Sequence, residues 1–356
     1  MKRIMMTAGA LCFASVMFAY NPPISGESLD RLVSPTQLTY ASSSAGGGIF
    51  TAGSDAIVFN PALIASEQRI TLDASYTAIF SSNGGANVFG SAFQTGILIP
   101  WKYFAVSGLV KGVFLPLDKI DVGNTLSTNI GIAKEVSERL SVGLGIAGGL
   151  YWGYGSDWSL SGNIGAMYRI PHVGFMKDFR IGVSVLNLGK NYTSTNVIGI
   201  DGKNTSDIFP MLGTMHIGAA ALLFANDYIK GGASVELITP GFQNLIVAAG
   251  FHFAVNDALY LRIAEEINIR EAVVLADRGA YGNFMPAISL GYRFTFKTKN
   301  NEYMKRNGWG ESDITVNAGW QQLYETVHAV SGNVKFNLGL ADTDPPEIEL
   351  WAGEDK

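Results

Sequence analysis

The stretch Arg139–Trp152, RLSVGLGIAGGLYW, sets Leu140, Val142, Leu144, Ile146, Leu150 and Trp152 on one side of an extended chain and Ser141, Gly143, Gly145, Ala147 and Gly149 on the other. Period two is the signature of a strand, because successive side chains point to opposite faces. At about 3.3 Å per residue the run is long for a water-soluble sheet and suits a tilted strand that crosses a membrane. One face is apolar, and the other carries almost no side chains.

The same alternation recurs on both sides of this stretch. Ile181, Val183 and Val185 alternate with Arg180, Gly182 and Ser184; Ile288, Leu290, Tyr292, Phe294 and Phe296 with Ser289, Gly291, Arg293 and Thr295; Val334, Phe336, Leu338 and Leu340 with Lys335, Asn337 and Gly339. The period predicts fourteen strands, near 70–80, 88–99, 103–115, 126–134, 139–152, 157–169, 179–188, 212–225, 229–240, 245–255, 258–267, 284–296, 313–321 and 329–341. Short polar connections (EVSE, AND, VND) alternate with longer ones at 189–211 and 268–283, the arrangement of an outer-membrane barrel with tight turns at one end and loops at the other. An open sheet in lipid would leave edge amides and carbonyls unpaired, so the expected fold is all-β, a closed antiparallel transmembrane barrel. A soluble sandwich would have to hide the apolar faces on a second sheet, and the glycine-rich second faces fit that less well. Trp101, Tyr103, Trp152, Tyr154 and Trp158 fall near strand ends, where a membrane interface favours aromatic rings.

Composition agrees. Apolar residues make up 47% of the 356 and charged residues 15%, against about 25% charged in soluble domains. There are 42 glycines, and the net charge of -5 gives no basic footprint for nucleic acid. Cys12 is the single cysteine, so a disulfide framework is excluded. Residues 1–19, with Lys2 and Arg3 before an apolar stretch ending at Ala19, read as a signal peptide. Leu11 is too bulky to precede a lipidated Cys12. Beyond this segment no run of 18 or more apolar residues predicts a membrane helix.

Residues 20–69 lack the alternation, and Pro22, Pro23, Pro35 and Pro61 interrupt regular elements. The segment is too long for a linker and is expected to fold into the lumen as an amino-terminal plug. Its stretch AGGGIFTAGSDAIVFNPALIA resembles the amino-terminal signature of the FadL-like outer-membrane proteins, which include long-chain fatty-acid and aromatic-hydrocarbon channels; the matching positions are Gly48, Ala52, Gly53, Asp55, Ala56, Asn60, Pro61 and Ala62. Leu63 stands where glycine is often seen. VSVLNLGK at 183–190, with Asn187, Leu188 and Gly189, and AISLGYRFTF at 287–296 are similar to strand phrases of the same family. The resemblance implies a fourteen-stranded barrel with a hatch that shifts when an amphipathic ligand enters from outside. It also implies an exit through the barrel wall. The interval 297–312 would be an unusually long periplasmic turn, and the acidic tail 342–356 runs on past the barrel, 70–341.

A fatty-acid channel needs an apolar cavity and a polar group that fixes the head. Phe50, Phe59 and Leu63 are the apolar candidates, and Ile57, Val58 and Ile64 accompany them; Arg180, Arg262 and Arg293 are the candidate head clamps, with the competing role of lumen ion pairs, as for Arg31 and Arg69. Asp55 and Asn60 are expected to turn and cap the plug. Catalysis finds no support. His172, His216, His252 and His328 have no metal-ligand spacing, SSSAGGG lacks the residues of a phosphate loop, no nucleophile elbow occurs, and Glu265 and Glu266 read as a solvated rim. The expectation is a monomeric non-enzyme, without cofactor or metal, in the outer membrane of a Gram-negative-type (diderm) bacterium. It would carry long-chain fatty acids or other hydrophobic or amphipathic small molecules and contact outer-membrane lipid. The alternative is a scaffold or secretion-shuttle barrel, with a periplasmic protein partner at 297–312 or the tail.

Overall fold

The structure, a computed structural model, describes residues 20–39, 43–82, 88–101, 103–117, 120–193, 196–276, 286–297, 311–324 and 326–339. The expected signal peptide, the tail 342–356 and most of the 297–312 turn lie outside these residues. Fourteen strands form a closed antiparallel barrel: β1 (Ile70–Ser81), β2 (Phe89–Pro100), β3 (Ala105–Pro116), β4 (Asp121–Ser137), β5 (Leu140–Trp152), β6 (Ser156–Val173), β7 (Met176–Lys190), β8 (Thr214–Ala225), β9 (Ile229–Thr239), β10 (Ile246–Val255), β11 (Leu259–Asn268), β12 (Ala287–Lys297), β13 (Glu311–Tyr324) and β14 (Val327–Leu338). Each strand pairs with its sequence neighbour. The ring closes where β1 pairs with β14, from Ile70↔Leu338 to Ser81↔Val327.

All fourteen strands predicted from the alternation are present. The largest differences are at β4, which starts at Asp121 rather than 126, and β6, which runs on to Val173 through Pro171. The start of β4 carries Gly123 at φ 73 and a register shift opposite Leu115 and Pro116. A bulge of this kind breaks the alternation by which a strand is recognised.

The two faces are inverted relative to a soluble sheet. On β5, Leu144 is 57% and Ile146 63% exposed, while Ser141 and Gly143 are buried. The exposed apolar side chains form a belt around the wall, and the inward side chains are small or polar. Trp101, Trp152, Tyr154 and Trp158 are exposed near strand ends, in the positions of an interfacial aromatic girdle. Among the described residues no helix is long and apolar enough to cross a membrane, which says nothing of a crossing by strands.

The connections at one end are short, such as β6–β7 and β8–β9. At the other end lie the long excursion 191–213 and the helix Ile269–Ala276. These are called the turn end and the loop end below. Two buried apolar clusters fill the lumen where residues 20–66 meet the wall. Towards the loop end Leu29, Leu32 and Val33 pack with Val113, Tyr151, Tyr192 and Phe209. Towards the turn end Ile57, Phe59, Leu63 and Ile64 pack with Leu98, Leu109 and Met167.

If the exposed face of β5 meets lipid, Ile146→Arg is expected to lower barrel stability by about 2–4 kcal/mol, measured as reversible urea unfolding in lipid vesicles. An unchanged unfolding free energy would show that this face does not lie in hydrocarbon.

Candidate functional site

The candidate site is the lumen, and the glycines of the wall determine how the amino-terminal segment sits in it. A methyl group on Gly143 would overlap the backbone of Pro61 and Ala62, one on Gly165 the side chain of Asn60, and one on Gly182 the carbonyl of Ser44. On β2 and β4, Gly96 faces Ser54 and Gly131 faces Ile57 in the same way; on β9, Gly232 faces Gly48. Main chain approaches main chain at Gly143, Gly182 and Gly232, and a side chain of the segment fills the space at the other three, because the wall residue has no Cβ. The glycine faces seen in the sequence are therefore a seat for residues 44–62.

Asn60 is the most connected residue of this seat. Its Oδ1 accepts from the Ala62 amide at 3.0 Å, capping the 3-10 turn Pro61–Ser66. Its Nδ2 donates to the Ser44 carbonyl (2.8 Å) and to the Ala166 carbonyl of β6 (3.0 Å). One buried amide thus joins two parts of the segment to the wall. Asp55 lies in the turn Ser54–Val58 but serves the short helix Pro35–Leu38, accepting from Thr36 Oγ1 (3.2 Å) and Gln37 Nε2 (3.3 Å). Gln37 continues to Gln94 on β2 (2.9 Å), and Gln94 to Asp73 on β1 (2.9 Å). Of the other motif positions, Ala52 gives its carbonyl to Lys335 of β14, Gly53 precedes the turn that Ala56 helps form, and Gly48 lies against β9.

The arginines proposed as head clamps are engaged with protein groups. Arg180 is fully buried; its Nη2 donates to the Gly47 carbonyl at 2.7 Å, and its guanidinium lies 4.8 Å from the centre of the Phe50 ring. Phe50 also has Arg169 at 5.1 Å. Arg262 donates to Asn317 at 3.2 Å, and both Arg262 and Arg293 lie over the Tyr260 ring. Arg69 bridges Glu67 and Asp313 at the turn end. Leu63 is core. Among the histidines, His216 pairs with Glu236, His252 accepts from the Ile49 amide and His328 stacks near Trp320, while His172 is exposed. Among the described residues no cluster able to hold a metal ion occurs.

One expectation is corrected. Glu266 is not a solvated rim charge: it is 2% exposed and forms an ion pair with Arg31, whose Nη2 donates to its Oε1 at 2.7 Å. Alternation correctly turned Glu266 to the opposite face from Glu265. Only the folded segment supplies its cation.

Residues 20–31 reach the loop end. Pro22 accepts from the Ile200 amide, Asn21 contacts Asp207, and the Tyr20 carbonyl accepts from Arg270. Tyr20 donates to Glu27, which also accepts from the Met211 amide, and Glu271 accepts from the Ser25 amide. These contacts strap the start of the segment to the 191–213 excursion and to the helix Ile269–Ala276.

Three cavities can be described beside the segment. The largest, about 50 Å³, lies against the inner faces of β3 to β7 and is bordered by Lys111, Asn129, Ser159 and Asn163, with Leu29 and Val58 of the segment opposite. A second of about 30 Å³ reaches Phe59, Glu27 and His216 and shares Val58, Leu186 and Asn187 with the first. A third of about 10 Å³ lies by Arg31 and Glu266. Asn187, of the phrase VSVLNLGK, has φ 61 at a β6–β7 bulge, and its amide donates to Asn163 Oδ1 at 2.9 Å; the bulge turns Leu186 and Asn187 into both cavities. Of the residues predicted to line a cavity or clamp a head group, Val58, Phe59 and Arg31 border these cavities, whereas Phe50, Leu63, Arg180, Arg262 and Arg293 do not. Lys111 and Asn129 were not singled out in the sequence, although the inward row Leu109, Lys111, Val113 contains the signal.

No protein-family model matches the chain, and no curated protein matches it. Solved structures do. CymD, a monoaromatic hydrocarbon channel, is 11% identical over 89% of this chain and 99% of that chain, with a TM-score of 0.53. The toluene transporter TbuX of Ralstonia pickettii is 14% identical over 88% and 99%, with a TM-score of 0.50. A FadL homologue of Pseudomonas aeruginosa is 12% identical over 85% and 97%, at 0.49. The fold is the one that CymD and TbuX share. It agrees with the FadL-like resemblance of the amino-terminal motif.

Two outcomes follow from the contacts of the segment. Asn60→Ala leaves the Ser44 and Ala166 carbonyls and the Ala62 amide without their partner, at a cost of about 1–3 kcal/mol for a buried group left unsatisfied; amide exchange across 54–66 should accelerate by tenfold or more, and unchanged protection would refute the role of Asn60. Burial pushes the carboxyls of Glu27 and Glu271 up to about 7, Glu271 also through the nearby charges of Glu266 and Glu27. Because these values are raised on docking, the strap is most stable when both groups are protonated, and the contribution is lost as pH rises through about 7. Exchange protection of residues 20–31 should therefore be higher at about pH 5 than at about pH 8, and Glu271→Gln should reduce the difference.

Proposed function

We propose that the chain is a channel in the outer membrane of a diderm bacterium for hydrophobic or amphipathic small molecules, with residues 20–69 as its movable plug. The observation that carries this reading is a closed barrel whose lumen is occupied from turn end to loop end by one covalently attached segment. The three cavities described beside it are small. An engineered cavity of about 150 Å³ holds a benzene molecule; the largest of the three cavities described is about 50 Å³, so a ligand body enters these only when the segment moves. The polar contacts of the strap and of Asn60 are suited to such movement, because they exchange for water at small net cost. Apolar packing alone would not offer that exchange. The FadL-like fold supports the same reading, since CymD and TbuX are described as carrying aromatic hydrocarbons. The loop end then faces outward and the turn end the periplasm.

The test is uptake by cells of a diderm strain that lacks other hydrophobe channels. Expression of the chain is expected to raise the initial rates of uptake of toluene or decanoate at least severalfold over vector alone. A disulfide engineered between the segment and the wall should remove the gain, and reduction should restore it. Equal rates with and without the chain would overturn the proposal.

A further inference from the structure

The Phe50 ring has two guanidiniums over it, Arg180 of β7 at 4.8 Å and Arg169 of β6 at 5.1 Å from its centre. The two arginines stand opposite each other in the β6–β7 pair, and one carboxylate steadies both: Asp178 lies 2.9 Å from Arg169 Nε and 3.5 Å from Arg180 Nε. Arg180 directs its Nη2 to the Gly47 carbonyl, so what it turns towards the ring is the flat side of the guanidinium. An aromatic ring carries negative charge on its face, and the attraction of a cation placed over that face is strongest where water is excluded. Arg180 is fully buried. Room for the ring is made by Gly46, at φ 80, where a methyl group would overlap Phe50. The ring also packs against the turn-end apolar cluster. A phenylalanine that served only to fill space would need that apolar contact alone, and burying a guanidinium to meet it is costly.

The geometry points to the Arg169–Arg180 pair as a binding site for the ring of a neutral aromatic ligand, with Phe50 as the chain's own occupant that the ligand ring displaces. Phe50 is placed for such an exchange. Residues 49–51 are only partly buried, whereas 52–64 are buried throughout, so the ring can swing aside while the turns Ser54–Val58 and Pro61–Ser66 stay seated. None of the three described cavities borders Phe50, as befits a site whose ring position is already filled. A saturated chain or ring of the same size has no charged face and gains nothing from the guanidiniums, and a ring stripped of electron density by fluorine gains as little. The inference rests on the proposed channel function and names one substrate class for it, electron-rich aromatic compounds.

The experiment is calorimetric binding to the chain in lipid nanodiscs, corrected for empty nanodiscs, with benzyl alcohol, cyclohexylmethanol and pentafluorobenzyl alcohol as neutral probes of one shape. In Phe50→Ala, where the chain's own ring is gone, benzyl alcohol should bind at least about fivefold tighter than either of the other two. In the unaltered chain its affinity should be severalfold lower than in Phe50→Ala, because Phe50 competes. Arg180→Met added to Phe50→Ala should bring the ratio of benzyl alcohol to cyclohexylmethanol affinity close to one. Arg169→Gln, at a half-buried position, should lower the same ratio and keeps the test open should Arg180→Met fail to fold. Equal affinities for benzyl alcohol and cyclohexylmethanol in Phe50→Ala, or a ratio untouched by replacement of the arginines, would overturn the assignment while leaving the channel standing. Failure of all three probes to bind Phe50→Ala would also overturn it; the channel reading falls with it only if the chain gives no gain in cellular uptake either.

Discussion

The hydrogen bonding of β1 to β14 is the condition on which the rest of the structure depends. A sheet in hydrocarbon has no water to satisfy an edge, so it is stable there only when it closes on itself. Closure in turn gives the strands an inside and an outside. Leu144 and Ile146 then lose nothing by being exposed, because their surroundings are as apolar as they are. The inner face is relieved of the duty of forming a core with a second sheet, and glycine can occupy it. Gly143 and Gly182 use that freedom to bring a second length of backbone against the wall, and Gly165 admits the side chain of Asn60.

The segment is held by two apolar clusters and by buried polar contacts, and the polar ones have an energetic logic of their own. Buried charges are costly unless paired, and removing one partner of a buried pair is more costly still. Arg31 with Glu266, and Arg180 with the Gly47 carbonyl, satisfy each other only while the segment is seated. The contacts therefore specify a single docked arrangement more than they add cohesion. The chain from Asp55 through Gln37 and Gln94 to Asp73 ties the segment to β1 and β2, next to the point where it joins the barrel.

The barrel was legible in the sequence because strand alternation is a local property, visible in any stretch such as 139–152. It failed locally for a physical reason at β4, where Gly123 and the shifted register interrupt the period. The lumen was less legible. Alternation tells which residues point inward but not what they meet there, so Glu266 looked like a rim charge before Arg31 came to it, and Arg180 looked available before the Gly46–Gly48 turn was laid against it. Lys111 was passed over because an inward lysine in a strand has no sequence context that distinguishes it; Asn129 and Ser159, which border the same cavity, are brought near by pairing across four strands. The Asn-Pro-Ala motif was more informative, since the cap made by Asn60 is itself local.

The path of residues 20–70 through the lumen, from the strap at the loop end to Ile70 at the turn end, has a consequence for biogenesis. A chain that closed β1 on β14 first would have to thread its own free end along the finished tube. A chain that lays the segment across the inner faces of the still-open sheet, with the glycine seats receiving it, meets no such obstacle. On that route the joining of first and last strands would come last, with the segment already laid against the wall that closes around it.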